Sequence, residues 1–175
     1  AARRAFREPR RLPDAEYYEL ALFRAERLAW LMRRNNVLRD PNSAQALAAW
    51  MEVSPAEVSE ARLAKLEQLA GKHERTDLGE NLKLAVALAL PDAEQRIEQL
   101  LLLADSADVD TAVEANFELG QIALARPDDG RLDDPRTYFK LVRAGPPSPW
   151  TPLAERLVEG LAVTPAGPPP RAQNP

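Results

Sequence analysis

Few side chains of this sequence belong to the types that carry catalysis or bind metals. Cysteine is absent from the 175 residues, which excludes thiol catalysis, disulfides and thiolate-bound metal clusters. The single histidine, His73, lies in a polar connector, where we expect an exposed loop residue rather than a catalytic base. The sequence has no glycine-rich phosphate loop, no HExxH motif and no Gly-x-Ser-x-Gly motif. These observations predict a protein that is not an enzyme and that uses no cofactor.

Carboxylates are the remaining candidates for chemistry. Four of them cluster in the segment 128–134, and oxygen ligands of this kind suit calcium. The cluster lacks the alternating ligand spacing and the terminal glutamate of an EF-hand, so we interpret it as a solvated turn in which Asp134 caps the next helix. Glu16 and Glu19 are expected to face solvent from a helix surface. No metal site is therefore predicted.

Basic residues are concentrated at the start of the chain. The net charge is −4, from 23 basic and 27 acidic residues. Residues 1–13 carry five arginines against one glutamate, about +4, which leaves about −8 for the remainder. A basic arm suits nucleic acid, an anionic surface or an acidic protein, whereas the acidic body argues against nucleic-acid binding as the main activity. The arginines of this arm are Arg3, Arg4, Arg7, Arg10 and Arg11.

Hydrophobic spacing and proline positions predict an all-α fold. Apolar residues recur at helical spacing, and no stretch alternates as a strand does. Proline fits the first turn of a helix, and residues 54–57 have the form of a capping box. Gly71 and Gly145 stand where a helix C-terminus favours a left-handed residue. The predicted helices span about 14–35, 43–53, 55–70, 77–90, 91–104, 110–126, 135–144 and 152–162.

The first helix carries an apolar stripe and two of the tyrosines. We expect the tyrosines Tyr17 and Tyr18 and the three tryptophans to pack in the core or between helices. Tyr17 and Trp150 are also candidates for partner contacts, because such residues are enriched at interface hot spots. The tail, residues 164–175, is rich in proline and is predicted to be disordered. The stripe consists of Tyr18, Ala21, Leu22, Ala25, Leu28, Ala29 and Met32.

Two segments that lie 35 residues apart are similar in sequence, which indicates an internal repeat of helical hairpins. In both segments a leucine precedes a small residue, and a small residue lets a neighbouring helix approach closely. The aligned pairs are Asn81 with Asn116, Leu84 with Leu119, Ala85 with Gly120 and, in the second helices, Ile97 with Phe139.

On these residues the segment 77–162 resembles a tetratricopeptide (TPR) array. The resemblance is carried by Leu119 and Gly120 in a first helix, by Tyr138 and Phe139 in a second helix, and by Pro147 at its end. The segment 147–154 is similar to the inter-repeat linker of bacterial envelope TPR proteins. The resemblance implies antiparallel hairpins stacked as a right-handed solenoid. The predicted organisation is a basic arm (1–13), N-terminal helices (14–76), TPR-like hairpins (77–163) and the tail (164–175).

The resemblance also implies a concave groove lined by the first helices of the hairpins. Its candidate partner contacts are Asn81, Lys83, Asn116, Phe117 and Gln121. The alternative is that Phe117 belongs to the core and that the others are only solvated. We expect a non-catalytic scaffold or adaptor that binds other proteins as a subunit of a larger complex.

Two alternative functions stay open: a binder of nucleic acid or an anionic surface through the arm, and an accessory domain of an enzyme. The linker resemblance and the lack of cysteine favour the bacterial periplasm or cell envelope over the cytoplasm. The longest apolar run, residues 84–91, is too short for a transmembrane helix.

Overall fold

The computed structural model describes residues 15–36, 38, 44–52 and 57–163. This part of the chain holds eight α-helices and no strand, which confirms the all-α prediction for it. The basic arm (1–13) and the proline-rich tail (164–175) lie outside the described residues. The helices are α1 (Ala15–Asn35), α2 (Ala44–Glu52), α3 (Glu60–Lys72), α4 (Asp77–Ala89), α5 (Ala93–Ala104), α6 (Val109–Ala125), α7 (Pro135–Ala144) and α8 (Thr151–Val163).

Aspartate side chains cap α5, α6 and α7, and the caps of α7 and α5 bear on the predicted helix starts. Asp134 accepts a hydrogen bond from the backbone N–H of Arg136, and Pro135 occupies the first position of α7, as predicted. In α5 the capping residue is Asp92, so this helix begins two residues after Pro91 rather than at it. In both cases a side-chain oxygen replaces the partner that the first-turn amides lack within the helix.

Both predicted ends of α3 are wrong, and the C-cap of α7 has a different backbone conformation from the predicted one. The helix α3 begins at Glu60, five residues after the predicted start, because Ser59 is the residue that caps it and residues 57–59 are not helical. Residues 54 and 55 of the predicted capping box lie outside the described residues. Gly71 lies inside α3, which continues to Lys72. The helix α7 ends at Ala144 as predicted, but its C-cap Gly145 has φ −74 and ψ −179 rather than a left-handed conformation, because a residue that precedes proline is pushed into extended backbone.

Consecutive helices from α3 to α8 pack against one another, and α4 also packs against α6. Only residues 90–92 separate α4 from α5, and so short a connection makes the two helices antiparallel neighbours. The N-terminal helices lie on this row: α1 contacts α3 and α4, and α2 contacts α6 and α8. The row of helical hairpins is therefore covered on one side by α1 and α2.

Two hydrophobic clusters meet at α6. This helix contributes Ala115 and Leu119 to a cluster shared with α1, α3, α4, α5 and α7. It contributes Val113 and Phe117 to a second cluster shared with α1, α2, α7 and α8. A Cβ added to Gly120 of α6 would lie 2.6 Å from the ring of Phe139 in α7. The small residue thus permits the close approach of two helices that the repeat predicts.

The helix α1 packs through a different face from the one its apolar stripe marks. Its buried apolar residues are Leu20, Phe23 and Leu31. Its exposed large apolar residues are Tyr17, Tyr18, Leu22 and Met32. The expectation that the two tyrosines pack in the core is therefore wrong. The buried face also holds Arg27 and Arg34, and a pattern based on apolar residues alone assigns arginine to the solvent side.

Candidate protein-interaction site

Three polar residues of α6 are buried on the side that faces α1. They are spaced by four and then three residues, which places them on one side of the helix. Their partners on α1 follow the same order along the chain, so α1 runs alongside α6 in the same direction. We call these six residues the polar ladder: Arg24, Arg27 and Arg34 of α1, and Glu114, Glu118 and Gln121 of α6.

Arg34 ties three helices together at one end of the polar ladder. Its Nη1 donates to Oε1 of Gln121 at 2.7 Å, and its Nε and Nη2 both donate to the backbone oxygen of Trp50 at 3.0 and 2.8 Å. The guanidinium also stacks on the ring of Trp50, 4.6 Å from its centroid. Burial lowers the pKa of Arg34 to about 10, so it keeps its charge at neutral pH. This residue holds α1 and α2 against α6.

Glu114 lies at the other end of the polar ladder and is poorly hydrogen-bonded by its arginine neighbours. Arg24 Nη2 is 3.3 Å from Oε2 of Glu114, and Arg27 Nε is 3.8 Å from Oε1. Neither of these two nitrogen atoms makes a hydrogen bond. Since the Glu114 side chain is only 3% exposed, its charge is desolvated without full compensation. Burial therefore raises the pKa of Glu114 to about 7, and the neighbouring Arg24 and Arg27 offset only part of this effect.

A cleft of about 370 Å³ lies where the N-terminal part of α6 faces α1 and the connection to α8. Its polar side chains are two carboxylates, one guanidinium and one hydroxyl, and its apolar side chains come from a leucine, two prolines and a tryptophan. This mixture suits a partner side chain that is basic at its tip and apolar along its stem. We call it the Glu114 cleft, lined by Arg24, Leu28, Asp110, Glu114, Pro147, Ser148, Pro149 and Trp150.

The wall of the cleft that precedes α8 is fixed by local bonds and by stacking. The backbone N–H of Ser148 donates to Oγ1 of Thr151 at 3.2 Å. The Trp150 ring stacks on Phe117, with 5.6 Å between the ring centroids and 21° between the planes. Trp150 is only 9% exposed, so it packs mainly in the core, as expected, and presents a small part of its surface to the cleft.

The three predicted groove residues of α6 are all buried. Phe117 is fully buried between Phe139 and Trp150, which is the core alternative. Asn116 donates from Nδ2 to the backbone oxygen of Ala112 at 2.8 Å and reaches the end of α5. Gln121 accepts the bond from Arg34 described above. In this structure, therefore, α6 presents none of the three to solvent.

The predicted contacts on α4 are half-buried and are linked to the connection between α5 and α6. Asn81 donates from Nδ2 to Oδ2 of Asp108, the residue that caps α6, at 3.0 Å. Lys83 Nζ is 2.8 Å from Oε1 of Glu80, and this hydrogen bond is the main reason that the pKa of Glu80 is lowered. Both side chains keep part of their surface open to solvent, and their role toward a partner stays a prediction.

Other predicted features lie away from the polar ladder. His73 is half-buried rather than exposed. It forms the end of α3, and its backbone oxygen accepts from both N and Oγ1 of Thr76. In the segment 128–134, Asp129 pairs with Arg131, and Asp134 caps α7. Across the described residues no cluster of three or more potential ligands could hold a metal ion. None of the described helices combines the length and apolarity that a bilayer crossing requires.

The polar ladder was not predicted from the sequence, although a signal for it exists. On α6 the two glutamates and the glutamine recur at one-turn and two-turn intervals, and on α1 Arg27 and Arg34 are seven residues apart. Two helices with complementary polar stripes can face each other with those stripes inside. A search restricted to apolar stripes does not consider that arrangement.

Comparisons with known proteins give no relative for this chain. No family model matches it, and no curated protein or solved structure matches it either.

Proposed function

We propose that this chain is a non-catalytic helical-repeat scaffold or adaptor that binds a segment of a partner protein within a larger assembly, in the bacterial cell envelope. Its hairpins would form a TPR-like right-handed solenoid. The observation that carries the proposal is the position of α1 beside α6. The face of the first helices already holds one arginine-bearing amphipathic helix through the polar ladder, and the Glu114 cleft extends this face toward solvent.

Local structure supports the repeat that underlies this proposal. The aligned residues Asn81 and Asn116 each donate to the backbone oxygen four residues earlier, in α4 and α6 respectively. Each also reaches beyond its own helix, Asn81 to the cap of α6 and Asn116 to the last residue of α5. Asn81 and Asn116, 35 residues apart, therefore make equivalent hydrogen bonds in the two hairpins.

The chemistry of the Glu114 cleft indicates the kind of segment it would bind. Glu114 is buried against Arg24 and Arg27, so the negative charge that a lysine or arginine can approach is the carboxylate of Asp110, exposed at the mouth of the cleft. Leu28 and the two prolines give the stem of such a side chain an apolar surface. A partner segment with a basic residue beside apolar residues would fit best.

The test is affinity capture from native extract at physiological salt, read by mass spectrometry. We expect the wild-type chain to retain a partner and an Asp110→Lys variant to lose it, because the new cation repels a basic segment. A Glu98→Lys variant, with the same charge change on the exposed surface of α5, is the matched control and should retain the partner. Recovery of the wild type as a lone monomer, or equal capture by the Asp110→Lys variant, would overturn the proposal.

The basic arm supports a second candidate function, binding of nucleic acid or an anionic surface. Its net charge of about +4 is the observation in favour. Two arginines of the described part, Arg27 and Arg34, are buried in the polar ladder and are not available for such binding. Deletion of residues 1–13 separates the two functions: it should abolish binding to nucleic acid or anionic vesicles, but only weaken capture of a protein partner.

Carboxylate chemistry would support a third candidate, an accessory domain of an enzyme. Glu114 has the raised pKa that a general acid needs, and it lines a cleft together with Asp110. Its side chain is nevertheless almost fully buried against two arginines, which leaves a substrate little access to the carboxyl group. We therefore favour the scaffold.

A further inference from the structure

We propose that α1 pairs in antiparallel orientation with α1 of a second copy of this chain. The contact surface is an exposed stripe on α1, which we call the outer stripe: Tyr18, Leu22, Ala25, Ala29 and Met32. The intervals between these residues are four, three, four and three, which is the heptad spacing of helices that pack side by side. The spacing therefore specifies another α-helix as the occupant.

The outer stripe lies opposite the buried face of α1, and its residues are exposed in the described part of the chain. Leu20, Arg27 and Arg34 are buried or nearly so, and they recur at intervals of seven on the far side of the helix. On the outer side Tyr18 is 50% exposed, Leu22 36% and Met32 62%. An exposed apolar stripe of this regularity is a candidate contact surface for another molecule.

Side-chain sizes along the outer stripe favour a second copy in antiparallel register. If the two-fold axis crosses α1 between residues 23 and 24, Tyr18 lies opposite Ala29 of the second copy and Leu22 lies opposite Ala25. Each layer then joins one large and one small side chain, as good packing between helices requires. Parallel pairing would instead place tyrosine against tyrosine and alanine against alanine, which crowds one layer and empties another.

Charges at the edge of the outer stripe are compatible with self-pairing. Glu19 and Glu26 would approach each other across the two-fold axis, but each is already paired with a cation of α3. Glu19 is 2.7 Å from Nζ of Lys65, and Glu26 forms a close pair with Arg62. The edge formed by these four residues carries no net charge. Arg33, exposed seven residues after Glu26 on the same edge, adds one positive charge, which is too little to favour an anionic ligand such as a lipid surface or nucleic acid over a second copy.

The length of the outer stripe sets the strength of the expected dimer. In this register the seam runs from residue 18 to residue 29, where the helix rises about 16 Å, and it has four packed layers. A four-layer seam of this length is shorter than a standard stable interface requires. We therefore expect a dimer that forms at micromolar concentration.

Sedimentation analysis of the full chain between about 1 and 200 µM tests the pairing. We expect the wild type to shift from monomer to dimer across this range. Leu22→Glu should weaken association at least about tenfold by placing a charge in the seam. Leu141→Glu is the matched control, since Leu141 is also an exposed leucine, on α7, and it should dimerise like the wild type. A wild type that stays monomeric at 200 µM, or a Leu22→Glu variant that dimerises normally, would overturn the proposal.

Disulfide trapping tests the orientation, and the absence of cysteine from the chain makes it free of background. Tyr18→Cys and Ala29→Cys variants are mixed and oxidised. Antiparallel pairing places residue 18 of one copy beside residue 29 of the other, whereas residues 18 of the two copies lie about 16 Å apart along the axis. We expect crosslinks mainly between the two different variants. Crosslinks within each single variant, or none in any mixture, would contradict the register.

Discussion

Substitution of Glu114 by glutamine is the sharpest test of the polar ladder. The amide has the shape of a protonated carboxyl group and carries no charge. If burial raises the pKa of Glu114 to about 7 in the folded chain, the wild type binds a proton there that the unfolded chain, with an ordinary value near 4.5, releases. The free energy of unfolding of the wild type should therefore fall between pH 4.5 and 8, whereas this contribution is missing from the Glu114→Gln variant.

The expected size follows from the distance between the two pKa values. A difference of about 2.5 pH units at 1.36 kcal/mol per unit gives about 3 kcal/mol. The stabilising contribution is fully present below pH 4.5, where both states are protonated, and it is lost as the pH rises through 7. The difference in the free energy of unfolding between the wild type and Glu114→Gln should therefore change with pH. From pH 4.5 to pH 8 it should shift by about 3 kcal/mol in favour of Glu114→Gln. For a chain of this length this corresponds to roughly 6–12 °C in Tm.

Urea unfolding followed by circular dichroism, at half-unit steps from pH 4.5 to pH 8, measures this difference directly. Glu98→Gln on the exposed surface of α5 is the matched control, and its difference from the wild type should stay constant across the range. A constant difference for Glu114→Gln as well would refute the reasoning. It would mean that Arg24 and Arg27 keep Glu114 ionised, and that Coulomb attraction exceeds the cost of desolvation at this site.

Two further substitutions test the packing of α6. Gly120→Ala should destabilise the chain by about 1–3 kcal/mol, because the new methyl group meets the Phe139 ring. Gly71→Ala, in open space within α3, is the control and should be neutral or slightly stabilising. Thermal unfolding of both variants checks this. Arg34→Met should lower the free energy of unfolding by about 3–5 kcal/mol, because it leaves Gln121 and the backbone oxygen of Trp50 without their buried donor. Arg33→Met, on the exposed side of α1, is the control, and it should change the free energy of unfolding in urea by less than about 0.5 kcal/mol.

Local signals in the sequence predicted the helices well. Apolar spacing and residues such as Asp134 and Pro135 specify where a helix forms, since caps and first turns depend on neighbours within a few residues. The pairing of a leucine with a small residue also predicted a close helix contact, which the structure shows between Gly120 and Phe139. The α3 start was mispredicted because two serines, at positions 54 and 59, compete as caps, and the sequence alone does not rank them.

The site was predicted less well, because it depends on which faces of distant helices meet. Phe117 and Gln121 lie on α6 as expected, but α1 and Trp150 cover them. Helical spacing fixes the relative angle of two residues on one helix and says nothing about the helix that packs over them. Only a pairing of the polar stripes on α1 and α6 would have revealed that these two helices face each other.

The polar ladder also explains why α1 can have both a fixed position and a free apolar face. The helix α1 has apolar side chains on two opposite faces: Leu20, Phe23 and Leu31 on one, and the outer stripe on the other. Burial of either face would therefore remove apolar side chains from water. The arginines decide between the two, because burying the outer stripe instead would expose Leu20 and Phe23 and leave the carboxyl groups of α6 buried without cations. An unpaired buried charge costs far more than a few exposed apolar side chains. The charged residues thus set the orientation of α1, and the outer stripe remains on the surface for another helix.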